Sequence, residues 1–203
     1  IYDFGGFPDE LYNIRYPAPG DPELAQRTSG LLQAGGLSTI ASLSRGLDHG
    51  AWVPLKLMFP KADIPIVQLS VQTEKDTSHH FELGKALRPL RQKGVLIIGS
   101  GGAVHNLYDI QGHKINDAPV AYAAAFDQWL EENLTSGQIK QLIAYKKFAP
   151  DPEQSHPFPA EHFLPLIVCL GASHLEEKAA MIHGGFMYGI LSMAAYRWGS
   201  ENA

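Results

Sequence analysis

Two short, continuous apolar runs with a longer helical segment between them are the clearest pattern along the chain. The runs are Pro65–Val71, within "IPIVQLSV", and Val95–Ser100, "VLIIGS". Runs of this length without polar alternation are typical of strands buried on both faces of a sheet. The segment between them, "SHHFELGKALRPLRQKG", predicts a helix that ends at Gly94. We therefore expect two neighbouring buried strands joined by a right-handed crossover.

Further elements are predicted on either side of this unit. In "DPELAQRTSGLLQAGG", Asp21 suits the N-cap, Pro22 suits the first turn, and two glycines at 35 and 36 end the helix. The other predicted elements are an ordered aromatic loop with a short helical turn (4–22), helices in 50–59, 118–134, 136–145 and 159–172, and a closing strand in 184–199. Alternating strands and helices predict an α/β protein with a mostly parallel sheet that is covered on both faces.

Composition and charge exclude several classes of protein. The 203 residues suffice for one domain with a substantial core, and no apolar run approaches the roughly 20 residues that span a bilayer. The net charge of -5 argues against a nucleic-acid-binding face, which would be basic. Cys169 is the one cysteine, it lies in an apolar run typical of core packing, and it suits a reducing compartment. Because the sequence also opens without a signal-peptide pattern, we expect a cytoplasmic protein.

The stretch "VLIIGSGGAVHNL" contains a glycine cluster whose spacing excludes the common nucleotide-binding and hydrolase motifs. A dinucleotide fingerprint needs a glycine or alanine where Val104 stands, and a nucleophile elbow needs a glycine where Ile98 stands. A P-loop needs a lysine, and none occurs between Gly94 and Gly112. We interpret the glycines as permitting a sharp turn close to another segment, which delivers His105 and Asn106. A loop with a structural, hydrogen-bonded histidine is the alternative.

Two more of the nine histidines lie in informative surroundings. His49 lies between Asp48 and Gly50, where the carboxylate can act on the imidazole, and His162 lies at the start of an otherwise apolar helix. The residues alone leave open whether these histidines are structural, and they leave the role of His156 undecided. The sequence contains no HExxH, paired CxxC or H-x-H motif, so a metal site would need ligands from distant segments.

Five segments taken together resemble the class III extradiol ring-cleavage dioxygenases, and within them the 4,5-DOPA dioxygenase extradiol group. The segments are "YDFGGFPDELYNIRYPAPG", "GLDHGAW", "ADIPIVQLSV", "GSGGAVHNL" and "PAEHFLPLIVCLGA". They occur in the family's order and span nearly the whole chain. The resemblance implies a three-layer α/β/α domain that holds one non-haem Fe(II), with Zn(II) found in its place in some members. It also implies that both atoms of O₂ are inserted into a catechol-type substrate beside its two hydroxyls.

The resemblance also assigns roles to individual residues. It implies that His105 and His162 are metal-site residues, that His105 is alternatively the acid/base group, and that His49 handles substrate hydroxyls or oxygen. We therefore expect these three rings to point into one cavity. The aromatic loop Tyr2–Tyr16 is expected to border it, so Phe7, Tyr16 and Asn106 are the predicted substrate-binding residues.

One departure from the family pattern bears on the domain. Family members begin with strands that end in "HGSP" and "SAHW", each with a ligand histidine, and neither motif occurs in this sequence. We therefore expect residues 1–203 to be a single catalytic domain that lacks its N-terminal strands.

Two other functions are compatible with the same scaffold. One is a non-catalytic binding protein, which has no chemical need for three such histidines. The other is a zinc-dependent hydrolase, for which Glu161 beside His162 is the nearest candidate for a general base.

Overall fold

The computed structural model describes residues 1–199, and its backbone contacts divide the chain into a first unit, Ile1–Ser70, and a second that begins at Val71. The helices of the first unit are α1 (Pro22–Ala34) and α2 (His49–Met58). Those of the second are α3 (Thr77–Leu87), α4 (Ala121–Ser136), α5 (Ile139–Ile143), α6 (Tyr145–Phe148), α7 (Pro152–Ser155) and α8 (Leu164–Ala172). The strands are β1 (Val104–His105), β2 (Ala180–His183), β3 (Phe186–Met187), β4 (Leu191–Ser192) and β5 (Ala195–Arg197). The described part is thus mixed α/β, and none of its helices has the length and apolar character needed to cross a membrane.

The first unit confirms the predicted boundaries of α1. The Asp21 side chain accepts a hydrogen bond from the Leu24 backbone N–H at 2.9 Å, Pro22 occupies the first turn of α1, and Gly35 follows its last residue. In the same way, the Asp48 side chain accepts from the Ala51 N–H at 3.2 Å and caps α2. Each carboxylate satisfies a backbone donor that the first turn of a helix leaves without a partner.

The predicted aromatic loop is ordered by its own rings. The ring of Tyr2 lies 6.0 Å from that of Trp52, and the ring of Phe4 lies 5.1 Å from that of Tyr12. The Trp52 indole N–H donates to the Ile1 carbonyl at 3.0 Å. The predicted helical turn is also present, as a 3₁₀ helix over Asp9–Asn13.

Helices α3 and α8 make the most extensive helix–helix contact in the described part of the second unit, and glycines permit it. A Cβ on Gly84 would lie 2.1 Å from the Val168 carbonyl oxygen, and one on Gly171 would lie 2.1 Å from that of Phe81. Because no side chain separates the two backbones here, the helices pack more closely than larger residues would allow. A 3₁₀ helix over Arg88–Lys93 continues α3 to Gly94, which confirms the predicted helix end.

The core of the second unit lies between α4, α8 and β1. Phe126 and Leu130 of α4, Ile167 of α8 and Val104 of β1 are all fully buried. Since Val104 faces this core, its neighbour His105 points to the opposite face of the strand. The core therefore fixes the strand from which the candidate site begins.

The strand ladders differ from the mostly parallel sheet expected from the sequence. In the part of the chain that the structure describes, the two sheets have the orders β1-β4-β3 and β2-β5, and every strand pair is antiparallel. One isolated parallel bridge joins Gly20 to Ile66. Strands connected by tight turns pair antiparallel, whereas parallel strands need a long crossover. The parallel central sheet is thus not confirmed.

Neither predicted buried strand is a strand in the described structure. Pro65–Val71 pairs only through the bridge at Ile66, and Val95–Ser100 enters no ladder. Leu96 is 67% exposed and Ile98 is 43% exposed, so the second run is also not buried. This prediction was wrong because an apolar run favours extended backbone but does not supply the neighbouring strand that a ladder requires.

Two element boundaries also differ from expectation. The predicted closing strand (184–199) is divided into β3, β4 and β5. Gly185 precedes β3 and Gly189 lies between β3 and β4, and both have positive φ. Helix α8 begins at Leu164 rather than near Pro159, which places His162 in the turn that precedes the helix.

The α3–α8 packing gives a test with a matched control. We expect Gly84→Ala to lower the free energy of unfolding by about 3 kcal/mol, because the new methyl group meets backbone atoms that cannot move aside. Gly30→Ala, within α1, meets nothing within 4 Å. We expect it to be neutral or to stabilise by about 0.5–1 kcal/mol. Urea unfolding measures both, and equal effects would contradict the packing argument.

Candidate active site

The glycine loop reaches the turn before α8 at backbone contact distance. A Cβ on Gly101 would lie 2.1 Å from the His162 carbonyl oxygen, and one on Gly99 would lie 2.5 Å from that of Pro165. The Gly102 N–H donates to the His162 carbonyl at 3.1 Å. Only residues without a side chain fit here, which confirms the interpretation of the glycines as a close-approach turn.

This approach brings His105 and His162 face to face. Their ring centroids are 3.6 Å apart, and their planes differ by 12°. His105 is carried by β1, which is held by its pairing with β4 through Leu191. The His162 side chain is 35% exposed. The ring pair is thus fixed from the core side and is still accessible to solvent, and the expected adjacency of these two histidines is confirmed.

The surroundings of His105 favour the neutral imidazole. Burial, reinforced by the proximity of His162, lowers the pKa of His105 to about 4. At neutral pH the ring therefore carries a lone pair on one nitrogen, which is the form that binds a metal ion or accepts a proton.

His156 is a third histidine at this site, and its role was left undecided from the sequence. Its ring is 4% exposed, and Nε2 lies 2.8 Å from the Ala103 carbonyl oxygen. Because a carbonyl only accepts, Nε2 carries the proton. The ring lies 5.2 Å from that of Phe126 and 4.9 Å from that of Phe163. Burial, with a contribution from the neighbouring His105 and His162, lowers its pKa to about 4.

The donor chemistry of the ring pair fits a metal ion in part. Imidazole nitrogen is a common ligand for Fe(II) and Zn(II), and a neutral ring is the competent form. Among residues 1–199, however, no group of three or more His, Cys, Asp or Glu side chains is arranged to hold a metal. The pair therefore supplies two ligands at most, and its stacked rings must tilt for both lone pairs to converge on one ion.

Both polar atoms of the Asn106 side-chain amide are hydrogen-bonded to backbone groups. Its Nδ2 donates to the Gln154 carbonyl at 2.8 Å, and its Oδ1 accepts from the Tyr108 N–H at 3.1 Å. The side chain is buried, with 6% exposure. These bonds hold the segment that follows His105, and substrate binding by Asn106 stays a prediction.

In the first unit, the partner of His49 is Asp3. The His49 Nδ1 lies 2.6 Å from Asp3 Oδ1, and the His49 backbone N–H donates to the same oxygen at 3.1 Å. Burial acts to raise the pKa of Asp3, but these two hydrogen bonds outweigh it and the pKa is lowered. The expected partner, Asp48, instead caps α2 and accepts from the Gln68 amide. In neutral His49 the carboxylate holds the proton on Nδ1, which leaves the lone pair on Nε2.

The predicted substrate-binding aromatic residues differ in their contacts. Phe7 is 55% exposed, and its ring lies 5.5 Å from that of Phe4, which lies 5.5 Å from the ring of His49. The Tyr16 hydroxyl donates to the Phe59 carbonyl at 3.0 Å. The aromatic loop thus adjoins His49, while its contact with substrate stays a prediction.

Sequence reasoning missed Asp3 and His156. Asp3 lies 46 residues from His49. No local pattern connects residues so far apart, and the adjacent Asp48 was the nearer candidate. His156 lies in a proline-rich loop, and only its hydrogen bond to Ala103 reveals its place. The convergence of His49 with the other two rings stays a prediction, because His49 belongs to the first unit.

Comparisons with known proteins agree with the motif resemblance. The family described as the catalytic LigB subunit of aromatic ring-opening dioxygenase matches residues 1–198. A 4,5-DOPA dioxygenase extradiol of Beta vulgaris is 49% identical over 201 residues, which cover 98% of this chain and 74% of that protein. A 4,5-DOPA dioxygenase extradiol from Escherichia coli K12 is 41% identical over a match that covers 98% of this chain and 73% of that protein. The crystal structure of an uncharacterized Escherichia coli K12 protein has a TM-score of 0.79 at 39% identity, covering 92% of this chain and 76% of that one.

The buried histidines predict a pH dependence of stability. In the unfolded chain the pKa of histidine is about 6.5, so the unfolded state binds more protons than the folded state between about pH 6.5 and pH 4. We therefore expect the free energy of unfolding of the metal-free protein to decrease as the pH is lowered through that window. For His156 alone the loss between pH 7 and pH 5 is about 2 kcal/mol.

Urea unfolding at the two pH values measures this loss. His156→Gln removes its own share, whereas His174→Gln, at an exposed position, leaves the pH dependence unchanged. A His156→Gln protein with the same pH dependence as the parent would contradict the prediction.

Proposed function

Because the chain belongs to the LigB family of aromatic ring-opening dioxygenases, we propose that it is an extradiol dioxygenase with a non-haem Fe(II) centre. Its substrate is a catechol-type aromatic diol, and both oxygen atoms of O₂ enter the ring-opened product. The observation that carries the proposal is the pair of stacked imidazoles, His105 and His162, to which the resemblance assigns the metal site.

The ring pair is the proposed metal-binding group. His105 and His162 would provide two nitrogen ligands for Fe(II), or for Zn(II) in its place. When bound, Fe(II) supplies the electronic coupling between catecholate and O₂ that organic side chains cannot provide. The partial exposure of His162 leaves an open side from which a diol could approach.

Proton handling is the proposed role of two histidines. His49 Nε2 is the nitrogen that remains when Asp3 holds Nδ1, so His49 can take a proton from a substrate hydroxyl. His105 has an alternative role as the acid/base group, for which its neutral form is also suited. Phe7, Tyr16 and Asn106 are the proposed substrate contacts.

The wider architecture is proposed on the family resemblance. Residues 1–203 would form a single catalytic domain with a three-layer α/β/α arrangement around a mostly parallel sheet. The single cysteine, Cys169, supports a cytoplasmic location.

The two alternative functions are less well supported. Glu161 Oε1 lies 3.9 Å from His162 Nε2, which is beyond hydrogen-bonding distance, so the carboxylate is not positioned by that ring as a hydrolytic base. A non-catalytic binding protein would not require a neutral His105 beside a second imidazole.

Oxygen uptake with metal analysis tests the three functions together. We expect the Fe(II)-loaded enzyme to consume one O₂ for each catechol and to form a ring-opened product, and the Zn(II)-loaded protein to consume none. Catechol binding without oxygen uptake would favour the binding protein. Hydrolysis of an ester or amide by the zinc form would favour the hydrolase.

The two classes of histidine should separate on mutation. We expect His162→Ala to abolish metal retention, because only one proposed imidazole ligand remains. His49→Ala should retain the metal and lower turnover by about 10²–10⁴-fold, the usual contribution of a general acid or base. Metal stoichiometry and kcat measure the two effects, with His174→Ala as the exposed control. Loss of metal from His49→Ala would contradict this division of roles.

A further inference from the structure

Two crossed hydrogen bonds join the segment around His105 to the end of α7. His156 Nε2 donates to the Ala103 carbonyl at 2.8 Å, and Asn106 Nδ2 donates to the Gln154 carbonyl at 2.8 Å. Each segment thus donates one side-chain hydrogen bond and accepts another. The two bonds lie on either side of His105, at the residue two positions before it and at the residue directly after it.

We propose that His156, together with Asn106, is a positioning residue that holds His105 against His162. Its effect on metal binding and turnover rests on the proposed function, whereas its effect on the two rings does not. His156 also contacts the turn that carries the other member of the pair, because its ring packs against Phe163, which directly follows His162. It therefore connects the strand that carries His105 with the turn that carries His162.

The position of the ring leaves little freedom to replace this contact. His156 is 4% exposed and Ala103 is 8% exposed, so water cannot readily substitute for the lost donor. Phe126 approaches from α4 at 5.2 Å between ring centroids. A phenylalanine at 156 would fill the same space and leave the Ala103 carbonyl without its hydrogen bond. A glutamine would keep an amide donor at nearly the same reach.

His80 offers a matched control for buried-histidine effects. It is fully buried, and its Nδ1 donates to the Asp76 carbonyl at 2.7 Å. Like His156, His80 donates a hydrogen bond to a backbone carbonyl of the second unit, but this bond lies at the start of α3. Substituting phenylalanine there removes a comparable donor without touching the segments around His105 or His162.

The experiment compares His156→Phe, His156→Gln and His80→Phe in the full-length enzyme. We expect His156→Phe to weaken Zn(II) binding, measured by chelator competition, by about 10–100-fold, as for residues that orient metal ligands. In the Fe(II)-loaded enzyme it should lower kcat more than it changes KM. His156→Gln should restore most of both losses. His80→Phe should lower the thermal midpoint while Zn(II) affinity stays near that of the parent.

A second variant and a metal-free measurement complete the test. Asn106→Asp keeps the oxygen that accepts from Tyr108 but loses the donor to Gln154, and it should reproduce the weaker Zn(II) binding. In metal-free protein, the nuclear Overhauser contact between the His105 and His162 rings should weaken in His156→Phe and persist in His80→Phe. An unchanged ring contact, or equal losses in the two phenylalanine variants, overturns the positioning role. If the parent enzyme neither binds metal nor cleaves catechol, the proposed function fails, and the ring contact still decides the positioning role.

Discussion

The hydrogen bond from the Gly102 N–H to the His162 carbonyl sets the distance on which the candidate site depends. It can form only because Gly99 and Gly101 carry no Cβ where the carbonyls of Pro165 and His162 pass. The same contact holds the end of the glycine loop beside the start of α8. With the loop fixed there, β1 follows directly and brings His105 over the ring of His162. The close approach of the glycine loop to the turn before α8 thus determines how the His105 and His162 rings face each other.

The stacked rings carry an electrostatic consequence. Two imidazoles at 3.6 Å cannot both be protonated without strong repulsion, and burial acts on His105 in the same direction. His105 is therefore kept neutral at neutral pH. An approaching metal cation meets its lone pair rather than a like charge, so the neutral ring is better suited to binding metal than a protonated one.

Local patterns in the sequence were sufficient for two helix ends and for the glycine turn. Asp21 and Gly94 mark helix ends through bonding that involves only nearby residues. The strands were predicted less well, because Val95–Ser100 is apolar enough for a strand but its pairing depends on a partner distant in the sequence. For the same reason, His105 and His162 were found through family motifs, while Asp3 and His156 act through contacts 46 and 53 residues away.

The different surroundings of the histidines suit them to different chemistry. His49 is hydrogen-bonded through Nδ1 to the Asp3 carboxylate, which leaves the Nε2 lone pair available to accept a proton. His105 is instead held between a second imidazole and the apolar core, where a positive charge is disfavoured and a lone pair is retained. The same residue type thus favours proton uptake in one setting and metal binding in the other. The His156–Ala103 hydrogen bond belongs to the second setting, because it anchors the strand without adding a charge beside the pair.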